Sequence, residues 1–222
     1  MQFNEAQIQA IQHNTGPCMV IAGPGSGKTT VLTHRVRYLI ERYGVNPSDI
    51  LVITFTKAAA EQMKLKFKGL SEGRNSAVTF GTFHAVFFTI LKAAYNYSAH
   101  CIIKPQIQHE FVKDQMCRLE LEYDDENEAV AGVLSEISCV KGEDVNIDEY
   151  ESRCIPPQSF RIMYRAYDDM LVRKHLIDFD DMIVQCRELL MQREDYRRAW
   201  QNKYKYILID EFQDINKAQF DV

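Results

Sequence analysis

The sequence predicts an α/β fold in which a parallel sheet carries an inserted all-helical subdomain. Three observations carry this reading. A glycine-rich phosphate-binding loop follows a short apolar run and opens a helical pattern. Four short β-rich runs, at residues 18–21, 50–54, 77–80 and 206–209, are joined by helical patterns. Between the third and fourth runs lie about 125 residues with no convincing strand.

The first run, Cys18-Met19-Val20-Ile21, reads as a short buried strand. The loop Ala22-Gly23-Pro24-Gly25-Ser26-Gly27-Lys28-Thr29-Thr30 follows it, with Ala22 where a first glycine is often found. Gly23, Gly25 and Gly27 lack Cβ atoms, so backbone N–H groups can approach phosphates closely. A helix starting near Lys28 adds unpaired N–H groups and a positive dipole end. Lys28 is expected to reach the β- and γ-phosphates of ATP, and Thr29 to place its hydroxyl on Mg²⁺. In that helix Leu32, Val36, Leu39, Ile40 and Tyr43 recur at helical spacing, and Gly44 is placed to cap its end.

The runs at residues 50–54 and 77–80 continue the strand–helix alternation of a parallel sheet. The interval after them is helical in pattern, with Phe160, Met163, Tyr164, Tyr167, Met170 and Leu171 on one apolar face after a break at Ile155-Pro156-Pro157. The expected organisation is an α/β domain from residues 1–86 and 178–222, with the helical insertion at 87–177. The last run, Tyr206-Ile207-Leu208-Ile209, delivers Asp210 and Glu211 at its carboxyl end, the edge at which open α/β sheets bind ligands. Asp210 is placed to hold Mg²⁺, and Glu211 to act as general base toward an attacking water.

The 222 residues are 46% hydrophobic, enough for a substantial core in one large or two small domains. No run of about 18 apolar residues exists, so no membrane span is expected. Gln2-Phe3-Asn4-Glu5 lacks a signal-peptide pattern. The six cysteines are scattered with no Cys-x-x-Cys pair, which argues for reduced cytoplasmic thiols rather than a metal site or disulfide framework. With a net charge of −5, the chain lacks a global basic footprint, so any nucleic-acid contact has to be a local groove.

These motifs resemble those of the UvrD/Rep/PcrA family of superfamily-one DNA helicases, and the resemblance covers nearly the whole chain. Asp210-Glu211-Phe212-Gln213-Asp214-Ile215-Asn216 resembles the family's motif II, and Phe3-Asn4-Glu5-Ala6-Gln7 its Q motif. Thr54-Phe55-Thr56-Lys57-Ala58-Ala59-Ala60-Glu61 resembles motif Ia, with the positive charge one residue earlier than in the commonest form. Thr79-Phe80-Gly81-Thr82-Phe83-His84-Ala85 resembles motif Ib, and Asp178-Phe179-Asp180-Asp181-Met182 a further family motif. The resemblance implies a RecA-like P-loop NTPase sheet using ATP and Mg²⁺. It assigns Gln7 to the adenine edge and Gln213 to sensing the γ-phosphate. It assigns Phe55, Thr56, Lys57, Thr82, Phe83 and His84 to a single-stranded DNA track, with Phe55 as a base-stacking surface.

It further implies a 3′-to-5′ DNA helicase of which this is the ATP-binding part, with a second motor domain expected in the parent protein. The isolated chain is then expected to bind nucleotide without unwinding DNA. In the family's sheet, another strand lies between the loop strand and the motif II strand. Its absence implies a rearranged sheet, a partner filling the gap, or marginal stability. A motor subunit of an AddA/RecB-type helicase–nuclease and a non-helicase P-loop nucleotide-binding module are the alternatives.

Overall fold

The computed structural model describes residues 2–71 and 77–222. These form two compact units, Met1–Val86 with Asp195–Asp214, and Phe87–Glu194 with Ile215–Val222.

The first unit opens with α1 (Glu5–Gln12) and α2 (Lys28–Tyr43). The chain continues through β1 (Ile50–Thr54), α3 (Lys57–Leu70) and β2 (Thr79–Thr82). Helix α4 (Phe83–Ala94) carries it into the second unit. It returns along α9 (Glu194–Lys203) to β3 (Tyr206–Ile209). The sheet is parallel, in the order β2-β1-β3. The central strand β1 is buried along its whole length, as its unbroken Ile-Leu-Val-Ile run requires. Val36 and Leu39 of α2 and Met63 and Phe67 of α3 pack with Ile50, Val52 and Leu208 into one core. Leu51 lies opposite Thr79 on one side and Ile207 on the other.

The predicted runs at 50–54 and 206–209 form strands as expected, and the third strand sits two residues later than its run. Residues 18–21 correct the expectation of a buried strand. They form no strand, and Ile21 is 92% exposed. An isolated apolar run has no ladder to satisfy its N–H and C=O groups, so its backbone stays hydrated. Among the described residues β3 pairs with β1 alone, so the motif II strand does not close directly onto residues 18–21.

The second unit adds α5 (Pro105–Arg118), α6 (Glu126–Gly142), α7 (Pro157–Lys174), α8 (Phe179–Gln192) and the short α10 (Lys217–Phe220). Val112, Met116, Val133, Ile137, Phe160, Met163 and Tyr167 make its core, the α7 residues lying on the predicted apolar face. The unit thus extends beyond the expected insertion, taking in α8 and the eight residues from Ile215 to Val222. Helix α8 starts with a capping box, Asp178 accepting from the Asp181 amide and Asp181 from the Asp178 amide. Both carboxylates also hold Lys141, at 2.9 and 2.7 Å, with Asp168 at 3.2 Å. Burial opposes the Lys141 charge, but Asp178, Asp181 and Asp168 outweigh it and raise its pKa. Burial and then Asp178 push the Asp181 carboxyl up to about 6.

Candidate nucleotide site

The loop takes its shape from two glycines in the left-handed region, Gly25 at φ +75 and Gly27 at φ +85. Gly27 caps α2 in that conformation, and its carbonyl accepts from the amides of Thr30 and Val31 at 2.9 and 3.0 Å. The Lys28 and Thr29 amides precede that bonding and stand at the positive end of the helix, where an anion is held. The buried Thr33 hydroxyl donates back to the carbonyls of Thr29 and Thr30 at 3.0 and 2.9 Å, fixing the turn that carries both threonines. Gly23, Pro24, Gly25 and Ser26 are exposed, and Gly27, Lys28, Thr29 and Thr30 are half-buried.

Gln7 lies against this loop. Its Nε2 donates to the Ser26 carbonyl at 3.0 Å, and its Oε1 accepts from the Asn4 amide at 3.0 Å. Asn4 in return accepts from the Gln7 amide at 2.8 Å, completing a capping box. The amide expected to read adenine thus buttresses the loop and α1, with one N–H and one lone pair beyond these two bonds. Asn4 is a contributor the sequence reading passed over, although Asn-x-x-Gln before a helix is itself a cap signature. Arg35 ties α2 to the end of α1 by donating to the carbonyls of Ala10 and His13.

The acidic motif reaches this loop. Strand β3 ends at Ile209, and the Asp210 amide donates to the Ile53 carbonyl at 2.9 Å. Glu211 then turns into the left-handed region at φ +51, uncommon for a residue with a Cβ. Both of its carboxylate oxygens lie 3.2 Å from Lys28 Nζ, across 183 residues of sequence. Gln213 Nε2 donates to the same carboxylate at 2.6 Å. That donation and then Lys28 hold the Glu211 carboxyl below its usual range. Burial and then Glu211 push the Asp210 carboxyl above it. Thr29 supplies a hydroxyl at the start of α2 and Asp210 a half-buried carboxyl at the end of β3, both oxygen donors of the kind that a hard divalent cation takes.

The residues assigned to a DNA track fall into two groups. Phe55 is 50% exposed between β1 and α3, and Lys57 projects into solvent with a 4.0 Å pairing to Glu61. Thr56 caps α3, its hydroxyl accepting from the Ala59 amide, and the buried Thr54 hydroxyl donates to the Thr56 carbonyl at 2.9 Å. Thr82 accepts likewise from the Ala85 amide at 3.3 Å. His84 is partly buried, and burial lowers its pKa and favours the neutral imidazole. Phe83 corrects the expectation. At 4% exposure its ring belongs to the core and no base can stack on it.

A phosphate-type loop, an acidic pair at the carboxyl end of a parallel sheet and a separate helical unit define a RecA-like α/β domain of the helicase-motor class. The family model for the UvrD/REP helicase N-terminal domain matches residues 3–222, and the chain belongs to that family. The ATP-dependent DNA helicase Rep of Escherichia coli (strain K12) is 34% identical over 230 residues, covering 100% of this chain and 34% of Rep. The ATP-dependent DNA helicase PcrA of Staphylococcus epidermidis (strain RP62A) is 31% identical over 230 residues, covering 98% of this chain and 30% of PcrA. The chain therefore spans about a third of the length of these curated relatives.

Proposed function

We propose that this chain is the ATP-binding part of a DNA helicase motor that couples ATP hydrolysis to 3′-to-5′ movement along single-stranded DNA. One observation carries the reading: Lys28 of the loop and Glu211 of the acidic motif are held together at 3.2 Å. A cation that binds terminal phosphates and a carboxylate that takes a proton from water have to lie within one substrate's reach.

In this reading the loop amides and Lys28 hold the β- and γ-phosphates. Lys28 leaves Glu211 to do so, which frees a carboxylate that its neighbours keep ionised. Glu211 then accepts the proton of the attacking water, and Gln213, already bonded to Glu211, senses the γ-phosphate. Mg²⁺, when bound by Thr29 and Asp210, neutralises charge on the phosphate oxygens. Phe55, Thr56, Lys57, Thr82 and His84 serve the DNA side, Phe55 by stacking and the others by backbone contact.

The test is fluorescent ATP binding by the 222-residue chain, beside single-stranded-DNA-stimulated hydrolysis and directional unwinding by a longer chain carrying the same motifs. Lys28→Ala abolishes nucleotide binding, and Glu211→Gln retains binding and blocks hydrolysis. The 222-residue chain itself binds without separating strands. Normal hydrolysis by Glu211→Gln overturns the base assignment. ATP-driven strand separation by the 222-residue chain overturns the reading of it as part of a motor.

A further inference from the structure

Helix α1 has eight residues, too few to hold itself in water. Asn4 and Gln7 close its first turn. Its last turn carries no basic residue, and the Ala10 and Gln12 carbonyls lie where no intrahelical amide reaches. Helix α2 supplies what is missing. Arg35 Nη1 donates to the Ala10 carbonyl at 3.0 Å and to the His13 carbonyl just beyond α1. The Tyr43 hydroxyl donates to the Gln12 carbonyl at 2.9 Å. Ahead of α1, the Phe3 ring meets the His34 ring edge-on, with centroids 4.8 Å apart. Burial lowers the Arg35 pKa against Cys18, Tyr206 and Tyr43, none of them a carboxylate. The guanidinium therefore serves backbone carbonyls, and its charge meets the negative end of the α1 dipole. All of these residues belong to the first unit.

One helix thus holds the phosphate loop at its start, through Lys28, and the end of α1 along its length, through Arg35 and Tyr43. Gln7 stands between the two, donating to the Ser26 carbonyl and accepting from the Asn4 amide. Its side-chain amide keeps one N–H and one lone pair for a base. Adenine presents an acceptor and a donor side by side, whereas guanine presents two acceptors at the matching positions. We propose that Arg35 is a positioning residue for base selection. By holding the end of α1 against α2, it fixes where the remaining donor and acceptor of Gln7 stand relative to the phosphate loop. The assignment rests on the nucleotide reading above, with Gln7 at the base.

Competition titrations of fluorescent ATP on the 222-residue chain with Mg²⁺ test it, with ATP, GTP and inorganic tripolyphosphate as competitors. Tripolyphosphate engages the loop without a base. The parent chain binds all three and prefers ATP to GTP. Arg35→Met keeps the bulk of the stem and removes the donors. It lowers the preference for ATP over GTP about fivefold, the worth of one hydrogen bond, and leaves tripolyphosphate affinity within about twofold. Arg35→Lys, whose ammonium still donates, restores most of the preference. Tyr43→Phe removes one hydroxyl from an exposed position and lowers the preference about twofold. Gln7→Ala abolishes the preference, and adding Arg35→Met to it changes nothing further. An unchanged preference in Arg35→Met, equal losses for all three ligands, or a further loss in the double variant overturns the assignment. If Arg35→Met does not fold, Tyr43→Phe is read in its place, and an unchanged preference there overturns the assignment. Binding of ATP and tripolyphosphate by the parent chain without preference over GTP overturns the base role alone. Failure of the parent chain to bind either overturns the nucleotide reading and the assignment with it.

Discussion

Replacing Lys141 by methionine removes a charge and little volume, and its cost follows from what remains. Asp178 and Asp181 lie within 2.9 and 2.7 Å of the ammonium, with Asp168 at 3.2 Å. Removing one partner from a buried ion pair costs about 3–5 kcal/mol, because the other charge stays behind. For a chain of this size 1 kcal/mol moves Tm by about 2–4 °C, so a fall of about 6–20 °C is expected. The dependence on pH gives the sharper test. Asp181 has a folded pKa of about 6 against an ordinary 3.8. A raised pKa means that protonation favours the folded state. The resulting stability is complete below the unfolded value and is lost as pH rises through the folded one. In the parent chain this amounts to at most about 3 kcal/mol lost between about pH 4 and pH 6. Without Lys141 the Asp181 carboxyl titrates higher still, so the loss continues toward neutrality. Urea unfolding followed by circular dichroism at pH 5, 6, 7 and 8 should therefore show a deficit that grows with pH. A deficit below about 1 kcal/mol at pH 7, or one equal at pH 5 and pH 8, refutes the reasoning.

Five further outcomes are expected. Asp181→Asn keeps the acceptor for the Asp178 amide and should flatten the pH dependence between about 4 and 6, read in the same urea series. Glu211→Gln releases Lys28 from a half-exposed ion pair, so fluorescence titration should show ATP binding unchanged or tighter by up to about fivefold. Phe83→Ala should cost about 3–5 kcal/mol on thermal unfolding, whereas Phe55→Ala should leave stability within about 0.5 kcal/mol. Phe55→Ala should also weaken single-stranded DNA binding by about 1–3 kcal/mol in anisotropy measurements. Ile21→Lys, at a position a buried strand would forbid, should change stability by less than about 0.5 kcal/mol. A loss above about 2 kcal/mol would place residues 18–21 in a core after all.

What was legible in the sequence depended on how local its cause is. Glycines at 25 and 27 take positive φ because only they do so without a Cβ penalty, and that requirement is visible in the residue type alone. The unbroken apolar run of β1 could only be a strand buried on both faces. The same pattern at 18–21 misled, since strand formation is a property of a pair and a single sequence run does not reveal whether its neighbour is present. Phe55 and Phe83 sit in matching Thr-Phe contexts, and helical phase separates them. Phe83 opens α4 with its ring turned inward, while Phe55 stands in the link before α3. The Lys141 cluster joins residues up to 40 positions apart, so it was invisible in the sequence, although Asp-x-x-Asp at the start of α8 was a readable cap.

The pairing of Lys28 with Glu211 shows why the two motifs need the fold between them. Either residue alone is ordinary: a lysine at a helix start, and a carboxylate after a strand. Lys28 is positioned by Gly27, which starts α2, and by Thr33, which locks its first turns. Glu211 is positioned by β3, which hydrogen-bonds to β1 up to the Asp210 amide. The core formed by Val36, Leu39, Ile50, Val52 and Leu208 joins α2 to both strands and so sets the distance between the two side chains. A cavity in that core should therefore act at the site. Leu39→Ala removes a fully buried side chain, which costs about 2–5 kcal/mol of stability. Where the variant still folds, misplacement of Lys28 against Glu211 should lower hydrolysis in the longer chain more than nucleotide binding. Equal losses in both would mean that the core supports the loop alone and that the acidic motif holds its place independently.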